Sequence, residues 1–290
     1  MKLTLALAQM NTVLGGVTAN LEKHIQLIRS ARQDEADVVH FPELSLTGYY
    51  LMDLAPEVAL RPSPQEPVFA ALLAESEQID ILVGFPEIDR RGRVFISQAY
   101  LSQGEIRHVH RKVYLPTYAM FDEGRYFAAG ERVQSFETRF GRAGMLICED
   151  TWHVSPAYLL WQDGADLFYF SSSAAGTGLT GDGQMTSTRW AESIYSAYAT
   201  LFTVFISHNN RVGFEDGTNF PGASCALAPG GGLLARLPEF EEALQVVELD
   251  LNQLRRTRAR LPLLRDEKAA WFQRELGRIL DQNAQQGDTP

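Results

Sequence analysis

An α/β fold is predicted, on three observations. Apolar runs of strand length alternate with stretches of helical periodicity along most of the chain. The first alternation, a strand over residues 3–9, a helix, then a strand over 37–41, is a β-α-β unit and predicts a parallel pair. Strand-like runs separated only by a turn, as on either side of Arg90-Arg91-Gly92, add antiparallel pairs.

Taken in order, Leu3-Thr4-Leu5-Ala6-Leu7 opens a buried strand. The run is too short for the apolar core of a secretion signal, roughly 7–15 residues, and Gln9 interrupts it. Leu21, Ile25, Ile28 and Arg32 mark one stripe of a helix, with Thr18 or Asn20 as its N-cap. Residues 50–66 hold Pro56, Pro62 and Pro64 and read as a loop beside a pocket. A helix over 67–78 and strands over 80–85, 94–101 and 106–110 follow. Residues 112–131 are irregular and carry Tyr114, Tyr118, Phe121, Tyr126 and Phe127, the makings of a pocket wall. A strand over 142–147, a helix over 155–162, a strand over 166–170, a helix over 185–199 and a strand over 201–207 come next. Runs at 224–228, 233–237 and 245–249 read as a late meander. A helix over 250–258 and a last helix from 267 to about 282 close the fold, leaving 283–290 as a loose polar tail. No repeat, linker or low-complexity block divides the chain, so one domain is expected.

Composition narrows the class. A chain of 290 residues, 45% hydrophobic and 21% charged, has the make-up of an ordinary globular protein with a large core. A net charge of -10 argues against a nucleic-acid surface, which needs clustered Lys and Arg. No run approaches the ~18 apolar residues of a membrane span. Two cysteines are too few for a disulfide framework, so a reducing, cytoplasmic setting is expected. The histidines show no HExxH spacing and no CxxC exists, so no metal site is expected. Gly176-Thr177-Gly178-Leu179-Thr180-Gly181 is a literal GxGxxG after a strand. A dinucleotide site needs an acid at the end of the next strand, and that strand ends in His208-Asn209-Asn210, so the stretch reads as a pocket loop and no cofactor is expected.

Three stretches carry chemistry. The apolar run 145–147 ends on Cys148, followed by Glu149-Asp150-Thr151-Trp152. Open α/β sheets bind ligands outside the carboxyl ends of their strands, so a cysteine there faces a pocket; the plainer alternative is a buried structural thiol. Glu43 follows the run 38–41 in Phe41-Pro42-Glu43-Leu44-Ser45-Leu46-Thr47-Gly48-Tyr49. Lys112 follows the run 106–110 in His110-Arg111-Lys112-Val113-Tyr114-Leu115-Pro116. A thiol attacks as thiolate and needs a base or a cation beside it. Glu43 can take the proton, and Lys112 can hold negative charge on a substrate oxygen. His153 is an alternative base by sequence proximity, and Cys225, between Ser224 and Ala226, reads as core.

With these residues in this order, the chain resembles the nitrilase, or carbon–nitrogen hydrolase, superfamily. Further matches are FDEGRYF around Glu123, NRVG at 210–213 and the FPGAS…PGG pattern from 220 to 231, and the resemblance covers about residues 3–250. It implies an αββα four-layer sandwich. Residues 1–262 would be the hydrolase domain and 263–290 its C-terminal helix and tail, placed at a subunit interface. Members often pair, so a homodimer or higher homo-oligomer is expected, and Trp271 and Phe272 suit such a contact. The implied catalytic residues are Glu43, Lys112, Cys148 and Glu123, the last orienting Lys112 or substrate; its plainer alternative is a loop carboxylate paired with Arg125. Substrate contacts are expected at Tyr49, Tyr118, Phe121, Glu149, Trp152 and Ser173. In the implied mechanism Glu43 is general base to Cys148, in place of His153. Lys112 and the N–H of Glu149 hold the oxyanion, and water hydrolyses the thioester.

CEDTW and YLPTYAMFDEGRYF resemble the glutaminase domain of glutamine-dependent NAD synthetases. That branch tends to carry a Ser-Ala-Ser-Asn-like sequence where Ser171-Ser172-Ser173-Ala174-Ala175-Gly176 stands here, NRVG looks more like free-standing amidases, and the chain ends at Pro290 with no synthetase segment. The expectation is therefore a stand-alone amidohydrolase of a small amide, glutamine among the candidates, with no cofactor. The alternatives are a nitrilase on a C≡N substrate, although those tend to carry Cys-Trp-Glu at the nucleophile, and an ammonia-supplying subunit docked to a separate synthetase.

Overall fold

The computed structural model describes residues 1–181 and 183–286. Strand β1 (Lys2–Gln9), helix α1 (Val17–Gln33) and strand β2 (Val38–His40) form the expected β-α-β unit, with Leu5 opposite Val38 in a parallel pair. The loop expected over 50–66 contains a 3-10 turn, Met52–Leu54, and a one-turn helix α2 (Ala55–Val58), with Pro56 in the first turn, where no N–H is required. Helix α3 (Pro67–Ser76) precedes β3 (Asp80–Ile88), β4 (Val94–Ser102) and β5 (Glu105–Arg111). A single helical turn, α4 (Glu123–Tyr126), interrupts the irregular segment.

The second half repeats the plan. Strands β6 (Phe136–Thr138) and β7 (Gly141–Ile147) form a hairpin. Helix α5 (Val154–Gln162), strand β8 (Leu167–Ser172), helix α6 (Thr186–Leu201) and strand β9 (Phe205–Asn210) make successive parallel crossovers. A small hairpin of β10 (Val212–Glu215) and β11 (Thr218–Pro221) stands apart. Then come β12 (Cys225–Leu227), β13 (Leu233–Arg236), β14 (Ala243–Asp250), α7 (Asn252–Arg260), α8 (Leu263–Asp266) and α9 (Ala269–Gln286).

Two six-stranded sheets result, ordered β14-β1-β2-β3-β4-β5 and β13-β12-β9-β8-β7-β6. Each has three parallel strands at its centre and antiparallel strands at its edges. The side-chain period of two then sets the layers. Leu3, Leu5 and Leu7 of β1 meet Met145 of β7 and Leu167 and Tyr169 of β8 in a core between the sheets. Ala6 and Ala8 point the other way, onto Ile28 of α1 and Phe69 and Leu72 of α3. Phe168 and Phe170 likewise face Leu160 of α5 and Tyr195 and Ala199 of α6. Helix, sheet, sheet, helix is the expected αββα sandwich, and strands buried on both faces explain their near-continuous apolar runs.

Several expectations need correction. Neither Thr18 nor Asn20 caps α1. The N-cap is Gly16, and Asn20 lies inside the helix, where its amide bonds both the N–H and the C=O of Val13 and the C=O of Leu46. The strand expected at 201–207 begins only at Phe205, because α6 continues to Leu201. The late meander is not one: β12 and β13 extend the second sheet, whereas β14 crosses to pair antiparallel with β1 in the first. Strands β6, β10 and β11 were not anticipated. The last helix, α9, starts at Ala269 and runs to Gln286, so residues 283–286 are helical rather than loose, and the one-turn α8 before it is an addition; 287–290 lie outside the described residues.

Candidate active site

Strand ends of both sheets meet at one place. Glu43 follows β2, and Lys112 follows β5, its N–H donating to Ile96 of β4 and its C=O accepting from Gly130. Cys148 follows β7. The loop carrying Glu43 presses on β3 at Gly84, where a Cβ would fall 2.4 Å from the C=O of Pro42 and 2.5 Å from the N of Leu44, so only glycine leaves room.

Lys112 Nζ donates to Glu43 Oε1 at 2.8 Å and to Glu123 Oε1 at 2.7 Å, and all three residues are buried. Tyr49 Oη donates to the same Glu123 oxygen at 2.6 Å. Glu123 Oε2 is buried with no hydrogen-bond partner among the described residues. Glu123 is therefore not a loop carboxylate paired with Arg125, whose guanidinium lies instead over the Tyr126 ring. Ser173 holds Glu43 from the other side: its N–H donates to Oε2 at 2.6 Å and its Oγ to the C=O of Glu43 at 3.0 Å.

Cys148 has a left-handed φ of +44°, costly for a non-glycine residue and concentrated at functional sites. It opens a 3-10 turn, Cys148–Trp152, and Thr151 Oγ1 donates to its C=O at 2.7 Å. Asp150, not anticipated as a site residue, clips this turn to the lysine segment. Its Oδ1 accepts the N–H groups of Val113 and Tyr114, while Oδ2 accepts that of Ile147 and bonds His110 Nε2 at 2.9 Å. The only local hint was an acid two residues past the cysteine; apart from Ile147, its partners are distant in sequence.

The electrostatics are those of a thiol held in reserve. Burial, then the carboxylate of Glu43, pushes the Cys148 thiol well above its ordinary pKa, with Lys112 opposing. Burial pulls the Lys112 ammonium down, but Glu123 and Glu43 outweigh it and hold the pKa well up. Burial raises Glu123 to about 7, against the pull of Lys112 and with the push of Glu43. The thiol is thus neutral at rest and the ammonium is charged.

The remaining expected residues divide. Tyr49 is buried, with Phe121 edge-on at 6.2 Å, and belongs to the same apolar cluster as Cys148 and Ile147. Tyr118 is 57% exposed, and its hydroxyl donates to both Glu149 oxygens, at 3.1 and 2.9 Å. Trp152 is 41% exposed at the rim. His153 stacks on Tyr114 at 3.7 Å and lies 3.7 Å from Glu149 Oε1. A cavity of about 100 Å³ adjoins the set, lined by Tyr49, Tyr50, Met120, Asp122, Glu123 and Phe127 among others. Cys225 is fully buried in the second sheet, and Gly176 to Gly181 form a loop before α6 rather than a strand-to-helix turn. Among the described residues no group of three or more His, Cys, Asp or Glu could hold a metal ion, and no helix is long and apolar enough to cross a membrane.

A family model described as carbon-nitrogen hydrolase matches residues 4–259. The chain is 31% identical over 272 residues to the glutamine-dependent NAD(+) synthetase of Aquifex aeolicus (strain VF5), covering 88% of this chain and 44% of that protein. It thus spans less than half the length of that curated relative. Among solved structures, the glutamine-dependent NAD+ synthetase from Acinetobacter baumannii in complex with adenosine diphosphate matches with a TM-score of 0.79 at 29% identity, over 88% of this chain and 47% of that one. A mutant of the amidase from Nesterenkonia sp. AN1, showing covalent addition of the acetamide moiety of fluoroacetamide at the active site cysteine, matches with a TM-score of 0.79 over 94% of this chain and 96% of that one. At 20% identity that likeness shows the fold alone.

Proposed function

This chain belongs to the carbon–nitrogen hydrolase family and is a hydrolase of carbon–nitrogen bonds; from that premise we propose that it is a cysteine-dependent amidohydrolase releasing ammonia from a small amide. The observation that carries this reading is the buried Lys112 ammonium, held at 2.8 and 2.7 Å between Glu43 and Glu123 at the strand ends that also bear Cys148.

Glu43 takes the thiol proton as Cys148 Sγ attacks the amide carbon and a C–S bond forms. Lys112 and the N–H of Glu149 stabilise the oxyanion. Glu123 Oε2, unpartnered among the described residues, accepts from the substrate amide N–H. Glu43 then protonates the leaving nitrogen, the C–N bond breaks and ammonia departs. Water, deprotonated by Glu43, attacks the thioester carbon. The C–S bond breaks, the acid is released, and Glu43 returns the proton to Cys148.

Replacing Cys148 by alanine is expected to lower ammonia release by at least about 10³-fold. Intact-mass measurement after brief mixing with amides, glutamine first, should show an acyl adduct on the wild type and none on the variant. A variant as active as wild type would overturn the mechanism. A second reading is favoured by the 31% identity to the Aquifex relative: a glutaminase that supplies ammonia to a synthetase, and whose rate rises on docking to it. The exposed apolar residues of α9 support self-association of this chain as a homo-oligomer.

A further inference from the structure

One buried ion pair near the site takes no part in the proposed chemistry. Arg211 and Glu215, both almost fully buried, meet with Arg211 Nη1 donating to Glu215 Oε2 at 2.5 Å. The Arg211 guanidinium lies 4.3 Å from the Phe220 ring centroid, and the backbone N–H of Arg211 donates to the C=O of Ser172. Glu215 Oε1 does something different. It accepts the N–H groups of two consecutive residues, Tyr49 at 2.7 Å and Tyr50 at 2.5 Å. The fit is close: a Cβ on Gly48, which has φ +83°, would fall 2.6 Å from Glu215 Oε2.

Tyr49 is the residue whose hydroxyl donates to Glu123, and the same Glu123 oxygen accepts from Lys112. One loop carries Glu43 at its start and Tyr49 near its end. Ser173, just past β8, pins the first; Glu215, on β10, pins the second. A buried ion pair gains little stability over apolar residues of equal size, so stability alone gives weak reason for one here. Two backbone N–H groups aimed at one oxygen give a geometric reason.

We infer that Glu215, held by Arg211, is a positioning residue for the Glu43, Lys112 and Glu123 set, acting through the Tyr49–Tyr50 backbone. The inference rests on the amidohydrolase reading of that set, and it adds a residue to which no role in that reading falls. Glu215 touches neither nucleophile nor lysine. It sets where the Tyr49 hydroxyl stands, and through it where Glu123 and the Lys112 ammonium stand. Misplacement by about 1 Å costs on the order of 100-fold in rate.

The test compares two double variants in the full chain. R211M/E215Q removes both charges but keeps an amide oxygen to accept the two N–H groups. R211M/E215L removes the charges and the acceptor. Both are checked for fold by circular dichroism and melting temperature. With whichever amide the wild type hydrolyses, the glutamine variant should keep kcat within about threefold, and the leucine variant should lose 10- to 100-fold in kcat with KM little changed. Iodoacetamide alkylation of Cys148, which needs no substrate, should slow in the leucine variant alone. Equal kcat and equal alkylation rates in the two would overturn the inference. If both double variants fail to fold, Tyr49→Phe decides, since it deletes only the hydroxyl being aimed: a kcat and alkylation rate equal to wild type would overturn the inference. A wild type that turns over no amide removes the amidohydrolase reading, while the alkylation comparison still judges the positioning role.

Discussion

Lys112 has the most exacting surroundings of any side chain here. Its ammonium is fully buried, and two carboxylates share it. Removing it leaves Glu43 and Glu123 facing each other without a counter-ion, and one of them must take up a proton. Lys112→Met is therefore expected to lose about 3–5 kcal/mol of stability, measured by denaturant unfolding, together with about 10²–10³-fold in kcat. Adding Glu123→Gln should restore much of the stability and none of the turnover. A double variant no more stable than Lys112→Met would contradict the charge account. Glu43, Lys112 and Cys148 were legible in the sequence because each follows a strand-like run and the three fall in the order of the carbon–nitrogen hydrolase family. Ser173, Asp150 and Glu215 were not legible in these roles. Each works by bonding backbone or side chains far away in the chain, as Glu215 does to Tyr49 across 166 residues, and no local pattern announces that.

At the scale of elements, the two sheets are joined by polar bonds as well as by leucines. His40, at the end of β2, bonds Ser171 of β8 and Ser207 of β9, both at 2.8 Å, and Asn209 of β9 donates to its C=O. His24 of α1 bonds the C=O of Asn20 and Ser45 Oγ. Burial lowers His40 and His208 to about 3 and His24 to about 4, so all three are neutral in the fold. The unfolded chain binds more protons than the folded one below the ordinary histidine pKa of 6.5, so these groups make stability rise with pH and fall as pH drops from about 6.5 toward 4. Each contributes a slope of up to about 1.4 kcal/mol per pH unit in that window. Urea unfolding at a series of pH values checks this, and His40→Gln should flatten the slope. Stability that is level between pH 6.5 and 4.5 would mean that the seam tolerates the charge. The parallel strands were legible because burial on both faces makes them continuous apolar runs. The destination of β14 was not, since its alternation fits the edge of either sheet. The hairpin of β10 and β11 carries a readable sign, the Asp216-Gly217 turn, between strands too short to stand out.

At the scale of the molecule, the C-terminal end asks for a partner. Trp271, Phe272, Leu276, Ile279 and Leu280 of α9 are each 42–55% exposed, at spacings that put them along one side of a helix. The helix meets the sandwich at Phe272, 5.0 Å from Tyr158, whose hydroxyl donates to Glu267. An apolar stripe of this kind is a poor final state in water and a good one between two copies, each helix covering the other. Burial of such side chains is worth about 1.5–3 kcal/mol each, enough for a few to hold a dimer against the cost of association. The wild type is expected to run as a dimer or larger assembly in size-exclusion chromatography with light scattering. Trp271→Glu with Leu276→Lys should shift it toward the 32.4 kDa monomer. The Glu43, Lys112 and Cys148 set lies within one chain, so the dissociated variant should keep its Cys148 alkylation rate. A wild type that is monomeric at micromolar concentration would refute self-association through α9, and the stripe would then need a different partner.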